Sequence, residues 1–555
     1  MDRNTIAPYG EVDTIDVPRS SWTRSMTHKT TFNAGKLVPF YVNTDILPAT
    51  TIKNTTSVVI RMATPIYPVM DNLYLDTYWF KCTKYWYWEH FRAQQGENPD
   101  GAWAQEIEYT TPQINVTEPY TVDDVASYMG VPIGISGFTY DRMAIAGYID
   151  IFNQWFRDQN LRAPIQIDRT DSNLDSDGTI NTGYGLLPVY RCHDYFSSLL
   201  PNPQKSTNPV TIPIATEAPV IGNGMTLGFT DGTTNFGVTG RAGEGYFRAT
   251  VNGYGADVGT NVGSTNISSS NISTGVTTDP TKSGLIADLS NAVAATINAL
   301  RLAVATQRIL EKDARYGTRY REILKGQWGV TASDEALLTP EYLGGKRIPI
   351  NIETVLQQSQ TSENSPLGET GAFSVTADVN EDFTKSFTKH DMLFGVCCVR
   401  VGSHTYQQGL ARQFTRMRRF DHYHTSFAHI GNQPVYNYEI YLQSNDVLGD
   451  DGQPINNGVM GYKEAWQEYL YTPNRISGML LSTYDQSLDA WHYGDYYDSV
   501  PVLSDEWMQE PINNIDRTLA VQSSEAHQFI ADFYVEQHVS APIPLNRVPG
   551  LMDHY

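Results

Sequence analysis

Strand-like patterns outnumber helical ones along this chain. Leu393 to Val401 is an unbroken apolar run, rich in β-branched residues and too short to cross a membrane. It predicts a buried strand, closed by the turn signal Gly402-Ser403. In HQFIADFYVEQHV, Phe529, Ala531, Phe533 and Val535 alternate with other residues, which places them on one face of a strand. Thr30 to Pro48 reads as a strand with a central glycine bend, and Ser57 to Met70 and Asn72 to Trp88 as two more. NIETVLQQSQ and NRISGMLLST add further strand signals. Helical spacing occurs in two regions. In Asp141 to Asn160, residues Ile145, Ile149, Phe152 and Phe156 form one apolar stripe, and Pro164 stops it. In Leu285 to Lys325, a longer stripe runs through Leu285, Leu289, Val293, Ile297, Leu300 and Val304 until Gly317 breaks it.

Between these elements lie long loops. Residues 1–29 read as extended and loop-like, with scattered positive charge at Arg3, Arg19, Arg24 and Lys29. From 203 to 283 Gly, Thr, Asn and Ser dominate. A stretch this long inside a domain is functional or disordered; it predicts an exterior insertion between an N-terminal part, 1–202, and a C-terminal part, 284–555. Its aromatics (Phe229, Phe236, Tyr246, Phe247 and Tyr254) predict packing on itself or on equivalent copies. Polar loops follow at Thr361 to Phe373 and Asp446 to Gly458, and a proline-punctuated tail closes the chain.

Size alone predicts about three or four domains for 555 residues. Composition changes that expectation. With 34 Tyr, 20 Phe, 10 Trp, 43 Gly and only 18% charged residues, the chain suits one β fold with elaborate loops. A net charge of −22 argues against coating nucleic acid by bulk electrostatics, so any such contact is local or helped by a basic partner. Cys82, Cys192, Cys397 and Cys398 fit a reducing cytoplasm better than a disulfide framework, and the vicinal pair falls in a strand, where successive side chains point to opposite faces. The first 30 residues lack an apolar signal core and no run is long enough to span a bilayer. The expectation is a protein made in the cytoplasm without membrane insertion.

The densest positive charge follows the Leu393–Val401 strand: Arg412, Arg416, Arg418 and Arg419 are four arginines in eight residues, interleaved with Phe414, Met417 and Phe420. Such a segment either meets something negative, phosphate or a neighbouring copy's carboxylates, or snorkels along the core edge to internal acids. Other chemistry is sparse. GxSxG, GxxxxGK[ST] and HExxH are all missing. His422, His424 and His429 cluster, but only Asp421 stands near them as a further zinc ligand, so they read as structural. Asp446, Asp450 and Asp451 lack calcium-loop spacing. No catalytic residue, metal site or cofactor is predicted. With 61 acids, a glycoside-hydrolysing carboxylate pair is not picked out, which keeps a carbohydrate-binding or glycan-hydrolysing β-sandwich as the alternative.

In order along the chain, KTTFNAGKLVPFYVNTDILP, NQWFRDQNL, HDYFSSLLPNPQK, EKDARYGTRYREIL, PEYLGG, PLGETGAF, TYQQGLARQFTRMRRFD, FAHIGNQPVYNYEIY, YTPNRISG, SLDAWHY and LMDHY resemble the major capsid protein of gokushoviruses, single-stranded DNA phages of the Microviridae. The resemblance covers nearly everything outside 203–283. It implies a mainly β fold, an antiparallel eight-stranded jelly roll with long inter-strand loops, a few helices and a large surface insertion. It also implies a small T=1 icosahedral shell of identical copies around circular single-stranded DNA, assembled in the host bacterial cytoplasm. The implied partners are a small basic DNA-packaging protein, an internal scaffolding protein, a minor pilot protein and a host surface receptor, met by a three-fold protrusion formed by the insertion.

Overall fold

The structure, a computed structural model, describes residues 18–98, 101, 107–175, 185–206, 210, short strand segments between 220 and 287, 297–358, 361, 368, 370–449 and 452–545. Along the chain, β1 (Ser20–Phe32), β2 (Val38–Ile46), β3 (Thr50–Met62), β4 (Leu73–Thr83), β5 (Glu341–Ile350), β6 (Thr376–Phe387), β7 (Asp391–Val401) and β8 (Phe529–Ala541) build two antiparallel sheets. Their orders are β1–β8–β3–β6 and β5–β4–β7–β2. Successive strands alternate between the sheets except at β4 and β5, which pair with each other, the arrangement of a jelly roll. The expected mainly β, antiparallel class is therefore what the chain adopts.

Alternation explains why these segments pair. Every second residue of β8, from Phe529 to Ala541, is buried, and β3 repeats the pattern from Thr50 to Met62. Their inner faces meet β2, β4 and β7 in one core, where Phe40 stacks on Phe533 at 4.5 Å between ring centroids. Each fully buried side chain of this size contributes roughly 1.5–3 kcal/mol.

The apolar run of β7 has a second cause. Leu393, Cys397, Val399 and Val401 enter the inter-sheet core, while Met392, Phe394, Val396 and Cys398 enter another core on the opposite face. That outer core is filled by helix α1 (Met143–Ile151), its π-helical continuation Phe152–Phe156, and Tyr87, Trp88 and Phe91. A strand covered on both faces has no reason to alternate in hydropathy. The vicinal cysteines face opposite ways as expected, and all four cysteines are free.

Several sequence expectations change. Residues 20–29 are not loop: they are the first part of β1, paired with β8 from Ser20↔Ala541 to Phe32↔Phe529. As a sheet-edge strand with one face to solvent, β1 can be polar, and its partner lies at the other end of the chain. The third predicted strand stops at Thr83 in a 3-10 turn, Lys84–Trp86, and NRISGMLLST holds a 3-10 turn at Gly478–Leu480, whose Gly478 has a φ of +69°. The second helical region is shorter than its stripe. Leu285 lies in a strand, Leu285–Ala287, and helix α2 runs Ile297–Tyr316; Leu289 and Val293 fall outside the described residues.

Two compact units emerge, Met1–Lys205 with Glu311–Tyr555, and Ser206–Leu310. The second carries a small antiparallel sheet in the order Tyr254–Gly255, Phe247–Val251, Asn235–Gly240, Gly228–Thr230 and Gly275–Val276. Phe229, Phe236, Phe247 and Tyr254 thus sit in paired strands, while Tyr246 lies outside the described residues.

Candidate functional site

After β7 the chain turns at Gly402-Ser403 and passes through 3-10 turns at Arg412–Phe414, Arg419–Asp421 and Thr425–Phe427. The hairpin Asn432–Tyr436 with Val459–Glu464 supports it. The four arginines divide into two pairs with different environments. Arg412 lies 3.5 Å from Glu439 and 3.9 Å from Glu468, and donates to the Pro434 carbonyl at 3.0 Å. Arg416 donates to Glu468 at 2.9 Å and covers the Tyr469 ring at 4.1 Å. Glu439 is buried; it accepts from the Tyr195 hydroxyl at 3.2 Å and the Tyr436 amide at 3.0 Å. Burial pushes its carboxyl up, and Arg412 offsets only part of that rise.

Arg418 and Arg419 are exposed and have no ion-pair partner among the described residues. The side chains between and beside them are uncovered: Met417 is 81% exposed and Phe420 67%. Behind them Phe420, Phe427, Trp466, Tyr423 and Tyr469 form a chain of ring contacts at 5.8–6.3 Å. Internal acids therefore hold Arg412 and Arg416, while Arg418 and Arg419 face solvent.

This division makes a prediction. Arg412→Gln is expected to cost about 2 kcal/mol, because Glu439 stays buried without its cation. Arg418→Gln is expected to stay within about 0.5 kcal/mol of the parent. Urea denaturation midpoints of the two variants check this, and equal losses would refute the division.

His422, His424 and His429 are exposed, and no group of three metal-ligating side chains occurs among the described residues. Asp446 is exposed and accepts from the Ser444 hydroxyl at 3.0 Å; Asp450 and Asp451 fall outside the described residues. A cleft of about 720 Å³ beside Arg412 is lined by Tyr195, Phe196, Tyr406, Tyr471, Glu439 and Glu468 among others. Its two carboxylates are the pair that the arginines hold.

A buried charge cluster escapes sequence reasoning. Arg191 pairs with Asp495, which also accepts from Asn514 and, at 3.2 Å, from the Tyr497 hydroxyl. His404 stands between Asp495, 3.9 Å away, and Glu510, 3.4 Å away, with its side chain wholly buried. Nearby, Asp76 accepts from Arg347 at 2.7 and 2.8 Å and also binds Arg400. Burial alone would raise the Asp76 pKa; the two guanidiniums reverse this and hold it below the usual carboxylate range. Only a strand-end apolar run flanking Arg400 and His404 hints at this in the sequence. The Arg191, His404, Asp495 and Glu510 side chains tie distant segments together and are at most 4% exposed, whereas Arg347 is 46% exposed.

Similarity to known proteins agrees with this largely structural chemistry. The family model described as "Capsid protein (F protein)" of phages matches residues 10–551. The chain is 33% identical to capsid protein VP1 of Chlamydia phage 1 over 590 residues, covering 98% of this chain and 97% of the relative. It is 34% identical to capsid protein VP1 of Bdellovibrio phage phiMH2K over 562 residues, covering 99% and 98%. It is also 34% identical to capsid protein VP1 of Spiroplasma virus 4, covering 96% of each. With a jelly-roll core and a full-length match, the chain belongs to the phage capsid protein (F protein) family, as a major capsid protein of Microviridae-type phages.

Proposed function

We propose that this chain is a structural, non-enzymatic subunit that closes with identical copies into a T=1 icosahedral shell around circular single-stranded DNA. Assembly takes place in the bacterial cytoplasm with an internal scaffolding protein, a small basic packaging protein and a minor pilot protein. The 203–283 insertion, between the parts 1–202 and 284–555, is the three-fold protrusion that meets the host surface receptor. One observation carries the reading: large apolar side chains that a lone chain leaves uncovered, including Met417, Phe420, Leu470 (87% exposed) and the α2 residues Ile297 and Leu302. Contacts between copies would cover them, as apolar and aromatic side chains cover the centres of protein interfaces. The charge of −22 is compatible with enclosed DNA when a basic partner neutralises the genome.

Arg418 and Arg419 belong in this proposal as groups that meet a sister copy or DNA; Arg412 and Arg416 support them from behind. Substituting all four by Gln would confuse loss of folding with loss of assembly. The informative variant is Arg418→Gln with Arg419→Gln, expected to keep the parent's unfolding midpoint while lowering particle yield or DNA content. Negative-stain microscopy and nucleic-acid content of particles formed with scaffold measure this. Particles of parental yield and DNA content would remove both residues from the interface.

The aromatic cleft beside Glu439 and Glu468 favours one other reading, a glycan-binding or glycan-hydrolysing β-sandwich. Glycan cleavage by the expressed protein, lost in Glu439→Gln, would support it; shells or pentamers without cleavage support the capsid reading.

A further inference from the structure

We infer that the cavity between the end of the α1 π-turn and the Gly317–Glu322 turn is a binding site for a phosphate group. Its volume is about 370 Å³, and its charged lining is Arg157, Arg315, Arg319 and Arg321 with Asp158 and Glu322. That size falls within the range of small-molecule sites, roughly 300–1,000 Å³. Four arginines line it in a chain whose net charge is −22.

Three of the four are neutralised. Arg315 meets Glu464 at 3.1 Å, Arg319 meets Glu322 at 3.1 Å, and Arg321 meets Asp334 at 3.0 Å. Arg157 has no carboxylate within ion-pair distance among the described residues; it donates to the Arg162 carbonyl. Arg319 is held against it, donating to the Asn153 and Arg157 carbonyls at 2.8 Å each. Burial and then the neighbouring Arg319 charge lower the Arg157 pKa, and Asp158 and Glu322 offset only part of this. A tetrahedral oxyanion supplies what is missing: negative charge and several acceptors for forked donors. Phosphate fits several converging guanidiniums better than a single carboxylate, which presents two oxygens in one plane.

The phosphate can be free or part of a nucleic-acid backbone, and only the second source rests on the capsid reading. The test follows the unfolding temperature of the full chain in sodium phosphate, sodium acetate and sodium chloride at equal ionic strength, and with a short oligothymidylate. Phosphate is expected to raise the temperature above chloride and acetate. Arg157→Gln should abolish that shift, with binding weakened by about tenfold or more. Arg157→Lys, which keeps the charge without the fork and serves if the Gln variant fails to fold, should retain part of it. A shift from oligothymidylate that Arg157→Gln also abolishes identifies backbone phosphate; a shift from inorganic phosphate alone identifies the free anion. Equal behaviour in phosphate, acetate and chloride, or a phosphate shift unchanged in both variants, overturns the site whether or not the chain forms shells.

Discussion

Arg191→Met is expected to destabilise the folded chain by about 3–5 kcal/mol, the cost of leaving a buried charge without its partner. The Arg191 side chain is 4% exposed and that of Asp495 is 2%. The guanidinium also donates to the Trp507 carbonyl at 2.9 Å and lies over the Trp507 ring at 4.9 Å. Methionine fills part of the space but neutralises nothing. Asp495 would retain only Asn514 and Tyr497 as donors, with the imidazole of His404 at 3.9 Å. Guanidinium chloride unfolding measures the loss; a midpoint within error of the parent would show that the cluster is not a stabilising unit.

The same cluster has a pH signature. His404 lies 3.9 Å from Asp495 and 3.4 Å from Glu510, so its protonated form faces two carboxyl groups. Burial alone would lower the His404 pKa, but Glu510 and then Asp495 outweigh it and the pKa is raised. Tyr406 and Tyr497 face the same group of charges, and Arg191 opposes the rise. A histidine with a raised folded pKa contributes stability that is fully present below its unfolded pKa of about 6.5. That contribution is lost as pH rises through the folded value. Unfolding midpoints are therefore expected to decline as pH rises from the unfolded value of about 6.5 through the raised folded one. His404→Gln should reduce that slope, and an unchanged slope would assign the decline elsewhere.

Trp79→Ala is expected to cost about 3–5 kcal/mol. Trp79 projects from β4 into the inter-sheet core with no exposed surface. Its ring meets Phe40 at 5.3 Å and Tyr41 at 5.2 Å on β2, and Phe383 at 5.6 Å on β6 of the opposite sheet. Gly395 of β7 makes room for this packing: a Cβ there would lie 2.7 Å from the Phe40 ring and 3.1 Å from Trp79. The surrounding strands pair on both edges of β4, so they cannot collapse into the void that alanine leaves. Urea unfolding should show the large loss for Trp79→Ala and a smaller one for Trp79→Phe. A Trp79→Ala chain with the parent's midpoint would mean that the sheets hold together without this contact.

Much of the fold is legible before any coordinates. β8 announces its buried face through Phe529, Ala531, Phe533 and Val535, since a two-residue repeat has no other simple cause. β7 announces burial through its apolar composition. β1 is different: SSWTRSMTHK carries no apolar stripe, and what makes it a strand is a ladder to residues some five hundred positions away. The α2 stripe is visible too, but its helix has no buried residue in the lone chain, so periodicity reveals an apolar face without revealing what covers it.

The candidate site divides in the same way. The clustering of Arg412, Arg416, Arg418 and Arg419 is a local property, plain in the sequence. Their partition is not, because Glu439 and Glu468 reach Arg412 and Arg416 from other segments and leave Arg418 and Arg419 without ion pairs among the described residues. Arg191, His404, Asp495 and Glu510 show no mutual spacing at all, yet they touch. By itself the sequence determined the family, the antiparallel β class and the places where apolar and positive side chains accumulate. Tertiary structure alone decided which charges are paired and which face solvent. The reason is that Coulomb attraction and desolvation depend on distance through space and on the exclusion of water, and neither is a function of separation along the chain.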